Sequence, residues 1–204
     1  YKHINTGSMY RALTLHALRN AWIDNSRKLK INKHKIIESI DDLNLDFKFD
    51  EQNACRMCIN SEDVDDLLKD PLVSQYVSVI SAYPLVRKKI VKIQQELGKM
   101  KGVVMEGRDI GSVVFPEAEL KLFITASLEI RAKRRHQELI KLGIQASLKD
   151  VLHNLKMRDS SDSNRKNSPL ICVKDAVLID NTLLNIDMQF NMVVDLLKNK
   201  INLL

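Results

Sequence analysis

Residues 102–107 (GVVMEG), 120–126 (LKLFITA) and 175–180 (DAVLID) are nearly continuous apolar runs, and stretches with helical spacing separate them. A strand with one wet face alternates apolar and polar residues. A strand apolar at almost every position is buried on both faces, the pattern of parallel strands covered by crossover helices. These runs therefore constrain the chain to an α/β architecture with helices packed over a parallel sheet. The first run ends in Glu106-Gly107-Arg108-Asp109-Ile110-Gly111, which places a polar turn at the carboxyl end of a buried strand. Open α/β sheets bind their ligands at that edge.

The rest of the chain surrounds this frame. An extended start over 1–4 leads through Thr6-Gly7-Ser8 into a helix over about 9–20, with Met9, Leu13 and Ala17 on one face. Residues 32–41 read as a second helix, and 43–50 and 54–60 alternate like two hairpin strands. Together they form a small α+β insert over about 25–80. A helix follows Asp70-Pro71, Tyr83-Pro84 breaks the pattern, and a basic helix runs on to about Lys101. No repeat, low-complexity tract or Pro/Gly/Ser linker interrupts the chain, so 1–204 reads as a single domain and 25–80 as its subdomain.

Composition narrows the function. With 204 residues and 45% hydrophobic content, the chain can bury one sizeable core. No stretch approaches the ~20 uncharged apolar residues of a membrane helix, and the first residues lack a secretory pattern, so a cytoplasmic protein with no membrane partner is expected. Three cysteines in a chain of this length fit free thiols in a reducing compartment. Cys55 and Cys58 have zinc-like spacing, but no second Cys or His pair accompanies them, and positions three apart on a strand face opposite sides. The net charge of +6 points to anionic partners. With five Phe, four Tyr, one Trp and no recognised nucleic-acid motif, those partners are phosphate-bearing small molecules rather than nucleic acid. Most lysines fall on solvated helix faces, whereas Arg11, Arg87, Arg108, Arg158 and Arg165 lie beside turns, where sites form.

Three segments, NTGSMYRALTLHALRN (5–20), GRDIGSVVFPEAELKLFITAS (107–127) and RDSSDSNRKNSPL (158–170), together resemble the bacterial cytidylate kinases. The resemblance covers nearly the whole chain, and GRDIG followed by VVFP and an arginine-rich helix is its most specific part. It implies a three-layer P-loop nucleoside monophosphate kinase fold with a five-stranded parallel core sheet, a CMP-binding insert at 25–80 and a helical lid at 131–165, acting as a monomer. The implied activity is transfer of the γ-phosphoryl group of ATP to CMP or dCMP, with Mg²⁺ bridging the ATP phosphates. Two departures stand out. No GxxxxGK[ST] loop occurs, nor the strand that leads into it, and both are expected to precede Tyr1 in the natural protein. A chain truly without them would be a catalytically inactive nucleotide-binding protein. The other departure is Asn5, which stands where the family usually carries Asp.

The resemblance also assigns roles. Phosphate oxygens call for guanidinium forks, and Arg11, Arg108 and Arg165 match the phosphate-holding positions. Cytosine presents an amino donor beside the acceptors N3 and O2, so Asp109 would accept from the amino group while Ser78 and Arg87 donate. Uracil would turn its O4 acceptor towards Asp109 and be rejected. Tyr10 either packs on the ligand or sits in the core. Asp162 is assigned to the ribose hydroxyls, and Arg158 to the ribose or the transferred phosphate. Arg131, Arg134 and Arg135 at i, i+3 and i+4 share a helix face and are lid arginines, of which Arg131 and Arg135 join Arg158 in neutralising the transferring group. No general base is required. Glu106, at a strand end, would hold a water of the Mg²⁺ ion.

Overall fold

A computed structural model describes residues 1–24, 28–49, 51 and 55–201. The chain forms two compact units, one over Tyr1–Ile110 and one from Gly111 onward.

The first unit is built around a parallel strand pair. Strand β1 (Lys2–Asn5) runs into helix α1 (Gly7–Arg19), whose residues Met9, Tyr10, Ala12, Leu13 and Ala17 turn inward. The short strands β2 (Ile23–Asp24) and β3 (Lys30–Ile31) pair before helix α2 (Lys33–Asp42), whose N-cap Asn32 accepts from the Lys35 amide at 3.2 Å. Strands β4 (Leu45–Phe49), β5 (Cys55–Ile59) and β6 (Glu62–Asp63) form an antiparallel sheet. The hairpin expected over 43–60 is therefore present, although Asp50 and Ala54 lie outside the described residues. A 3-10 turn (Asp65–Lys69) follows, and then helix α3 (Pro71–Ser81), with Pro71 in its first turn and Asp70 capping the Leu72 amide at 2.7 Å.

Helix α4 (Pro84–Gly98) ends three residues before the expected Lys101. Lys101 (φ 53°) and Gly102 (φ 59°) are both left-handed, and this pair of residues turns the chain into strand β7 (Val103–Glu106). β7 lies parallel to β1 with Lys2 opposite Val103 and Asn5 opposite Glu106, so both strands end level. The core beneath combines α1 with Ile36, Met57, Val77, Ile80, Val86 and Ile90. The cores of α2 to α4 and the β4–β5 hairpin belong to the same cluster, which gives the insert firm attachment to α1.

In the second unit a π-helical turn (Ile110–Val114) precedes strand β8 (Leu122–Thr125) and helices α5 (Leu128–Lys141) and α6 (Leu148–Asn164). Strand β9 (Val177–Asp180) pairs parallel with β8, Leu122 opposite Val177 and Thr125 opposite Asp180, and helix α7 (Ile186–Ile201) closes the unit. Ser127 caps α5 and Ser147 caps α6 through the Asp150 amide at 3.0 Å. The strands read from the apolar runs are thus parallel, and among the described residues they stand as two pairs, β1–β7 and β8–β9. Cover within each unit is one-sided. Ile179 is buried while its neighbour Leu178 is 61% exposed, and Val104 is likewise exposed. Side chains that alternate across a strand divide in this way when helices of one unit reach only one face.

Candidate active site

The level ends of β1 and β7 create the first cluster. Thr6, just after β1, donates its hydroxyl to the Glu106 carbonyl at 2.7 Å and so cannot cap α1. A Cβ on Gly107 would lie 2.5 Å from Thr6 Oγ1 and 2.9 Å from the Ile110 side chain. Only glycine lets the Gly107-Arg108-Asp109 turn approach β1 this closely. A Cβ on Gly7 would meet Asn5 Oδ1 at 3.1 Å and Arg11 Nη1 at 3.6 Å, so Asn5 and Arg11 gather on the same side of the α1 entrance. Glu106 stays exposed, with His3 Nε2 3.6 Å from its carboxylate.

Asp109 is directed inward from this turn. It forms a short ion pair with Arg87 of α4, and the two side chains are only 7% and 4% exposed. The Arg87 guanidinium also donates to the Ser81 carbonyl at 3.2 Å and lies 5.3 Å from the centre of the Tyr10 ring. Its Nε is buried and makes no hydrogen bond among the described residues. Ser81 in turn donates its hydroxyl to the Ser78 carbonyl, which links the last turn of α3 to the pair. Tyr10, Ser78, Arg87 and Asp109 therefore belong to one connected cluster, with Ser81 as a member that its sequence position did not reveal. Tyr10 is 7% exposed and lies in the core, under Arg87. Arg11 and Arg108 are half-buried on the neighbouring α1 entrance and turn.

The second unit holds the remaining arginines. Arg165 places Nη1 3.4 Å from Asp162 Oδ1 and donates its Nε to the Ser168 carbonyl at 2.5 Å; Asp162 is 5% exposed. Ser168 is left-handed (φ 52°), and that conformation returns its carbonyl towards Arg165. Arg158 lies half-buried one turn before Asp162 on α6. The three α5 arginines separate in role. Arg131 donates Nε to the Ala126 carbonyl at 2.9 Å and Nη1 to Asp159 at 2.5 Å. Arg134 spends both terminal nitrogens on Asn181 and on the Leu184 carbonyl, fastening the turn after β9. Arg135 pairs with Glu138 on its own helix at 2.8 Å.

Sequence reasoning missed Thr6, Ser81, Asp159 and Ser168. Asp159 carried a local signal, standing three residues before Asp162 on the same helix side, whereas the other three contribute through contacts that no periodicity encodes. Among the described residues no group of three or more His, Cys, Asp or Glu side chains is placed to hold a metal ion. Burial and the nearby Asp65 and Asp46 carboxylates push the Cys55 thiol up to about 11, and burial raises that of Cys58.

The sequence that builds these two clusters has counterparts among known proteins. The family model described as cytidylate kinase matches residues 1–199. A cytidylate kinase of Flavobacterium psychrophilum is 42% identical over 200 residues, covering 98% of this chain and 87% of the relative. One from Parabacteroides distasonis is 43% identical over 190 residues (93% and 82%), and one from Caldicellulosiruptor saccharolyticus 41% over 197 residues (96% and 84%). With likeness at this level running through both units and all three motif segments, the chain belongs to the cytidylate kinase family.

Proposed function

We propose that the protein transfers the γ-phosphoryl group of ATP to CMP or dCMP, releasing ADP and CDP or dCDP. The observation that carries the cytosine reading is the orphaned Arg87 Nε inside the buried Arg87–Asp109 cluster. A buried N–H without a partner costs about 1–3 kcal/mol, and a base acceptor such as cytosine O2 or N3 relieves that cost. Asp109 meets the cytosine amino group as a carboxylate acceptor, and Ser78 supplies the second donor. Tyr10 contributes through Arg87, holding the guanidinium plane by its ring face.

Arg11, Arg108 and Arg165 are assigned to the acceptor phosphate by their places in the matching motif segments. Asp162 takes the ribose hydroxyls, and Arg158 the ribose or the transferring group. Arg131 and Arg135 place positive charge where the equatorial oxygens of the transferring phosphoryl accumulate negative charge, with 131–165 serving as the lid. Glu106 and Asn5 offer hard oxygen donors side by side at the strand ends, which suit Mg²⁺ held through its waters. When bound, that ion would supply charge neutralisation to the phosphates. No helix among the described residues is long and apolar enough to cross a membrane. The reading is of a cytoplasmic monomer with the 25–80 insert as its CMP-binding subdomain.

A coupled assay of ADP formation with ATP, Mg²⁺ and a panel of nucleoside monophosphates tests this. CMP and dCMP are expected to turn over well, and AMP and GMP poorly. Faster turnover of AMP than of CMP would sink the reading.

A further inference from the structure

We propose that Asp159 is a positioning residue for phosphoryl transfer, acting through its bond to the Arg131 guanidinium; this rests on the reading of Arg131 as a charge-neutralising group. Arg131, Arg134 and Arg135 share one face of α5 yet have unlike surroundings. Arg134 is committed to the turn after β9 through Asn181 and Leu184. Among the described residues Arg135 pairs with Glu138, a carboxylate 57% exposed on the same helix, and solvent screens such a pair. Arg131 alone is fixed from two directions by other elements. The Ala126 carbonyl, just past the end of β8, takes Nε, and the Asp159 carboxylate of α6 takes Nη1.

Two bonds at separate nitrogens remove the freedom of a planar guanidinium to rotate. Nη2 takes part in neither bond and makes no hydrogen bond among the described residues, so Arg131 keeps donors for a ligand. The paired side chains are 34% and 26% exposed, which screens the interaction less than a fully exposed pair. Asp159 precedes Asp162 by three residues on α6, and each carboxylate meets its own arginine, Arg131 and Arg165. One side of α6 thus orients two of the guanidiniums assigned to phosphate. A mere staple between α5 and α6 would add stability and nothing else. A positioning role predicts an effect on turnover that requires Arg131.

A double-mutant cycle separates these cases. kcat and KM for CMP and ATP are measured for wild type, Asp159→Asn, Arg131→Ala and the double variant, with circular dichroism and melting curves for each. Arg131→Ala is expected to lower kcat about 100-fold, the loss seen when one donor to a developing charge is removed. Asp159→Asn, nearly isosteric, is expected to lower kcat about tenfold with KM within about threefold, because the guanidinium is displaced and not lost. In the Arg131→Ala background Asp159→Asn should then change kcat by less than about twofold. Several results overturn the proposal while leaving the reading of Arg131 intact: an unchanged or increased kcat in Asp159→Asn, a fall in melting temperature alone, or an equal loss in both backgrounds. An unchanged kcat in Arg131→Ala removes that reading and the proposal with it.

Discussion

Asp109→Asn changes one atom in a buried ion pair and should register in both stability and specificity. The partner side chains are 4% and 7% exposed, so Arg87 in the variant keeps its charge without a counter-charge, supported mainly by the Ser81 carbonyl at 3.2 Å. Removing one member of a buried pair costs about 3–5 kcal/mol. An asparagine oxygen still accepts from Arg87 and recovers about 1 kcal/mol, which leaves a loss of about 2–4 kcal/mol. For a chain of this size each kcal/mol moves the melting temperature about 2–4 °C, giving an expected fall of about 4–16 °C. Melting followed by circular dichroism measures it. The double variant Arg87→Met/Asp109→Leu should recover most of that stability, because replacing both charges by apolar groups leaves neither one orphaned, while remaining inactive. In kinetics, Asp109→Asn should lose about 5- to 150-fold in kcat/KM for CMP and much less for UMP, whose O4 the new amide can serve as donor. A melting temperature within about 2 °C of wild type would refute the buried-pair argument. Equal losses on CMP and UMP would place base recognition elsewhere.

Other expectations follow from the same geometry. Arg108→Ala should depress kcat/KM for CMP and UMP by the same factor, because every nucleotide brings the same phosphate; unequal losses would detach Arg108 from that role. Gly107→Ala should cost about 1–3 kcal/mol of stability, since its Cβ would meet Thr6 Oγ1 at 2.5 Å and displace the hydroxyl from the Glu106 carbonyl. Denaturant melts check this, and an unaltered midpoint would count against the packing described. Hydrogen bonds from Arg56 and then Lys69 hold Asp66 down at about 2, so its contribution is full above about pH 4 and disappears as pH falls through about 2; Arg56 lowers Asp63 as well. The stability gap between wild type and Arg56→Gln should therefore narrow over that interval and shrink with added salt; a gap independent of pH would contradict the pairing.

What could be read from the chain follows the range of the forces involved. The parallel strands, the capped helices and the hairpin are written in local periodicity and turn chemistry, and α3 begins at the Asp70-Pro71 signal. Two-residue strands such as Ile23–Asp24 and Glu62–Asp63 are too short to have a period. After α4 ends at Gly98 the chain turns at left-handed Lys101, which nothing in a lysine announces. Motif matching pointed to Arg87 and Asp109 as separate base contacts. That they are bound to each other across 22 positions is a tertiary fact, joining the first turn of α4 to the turn after β7. The α5 arginines show the same limit. Their spacing places them on one face, but only the fold distinguishes Arg134, fastened to a turn, from Arg131, held by Asp159.

Following the label of [γ-³²P]ATP in the presence of Mg²⁺ and CMP tests the central claim most directly. The account predicts that the label moves into CDP, at a rate that saturates with CMP and falls sharply when UMP replaces it. Label that stays in ATP, appears as inorganic phosphate, or enters ADP faster when AMP is the acceptor would contradict it.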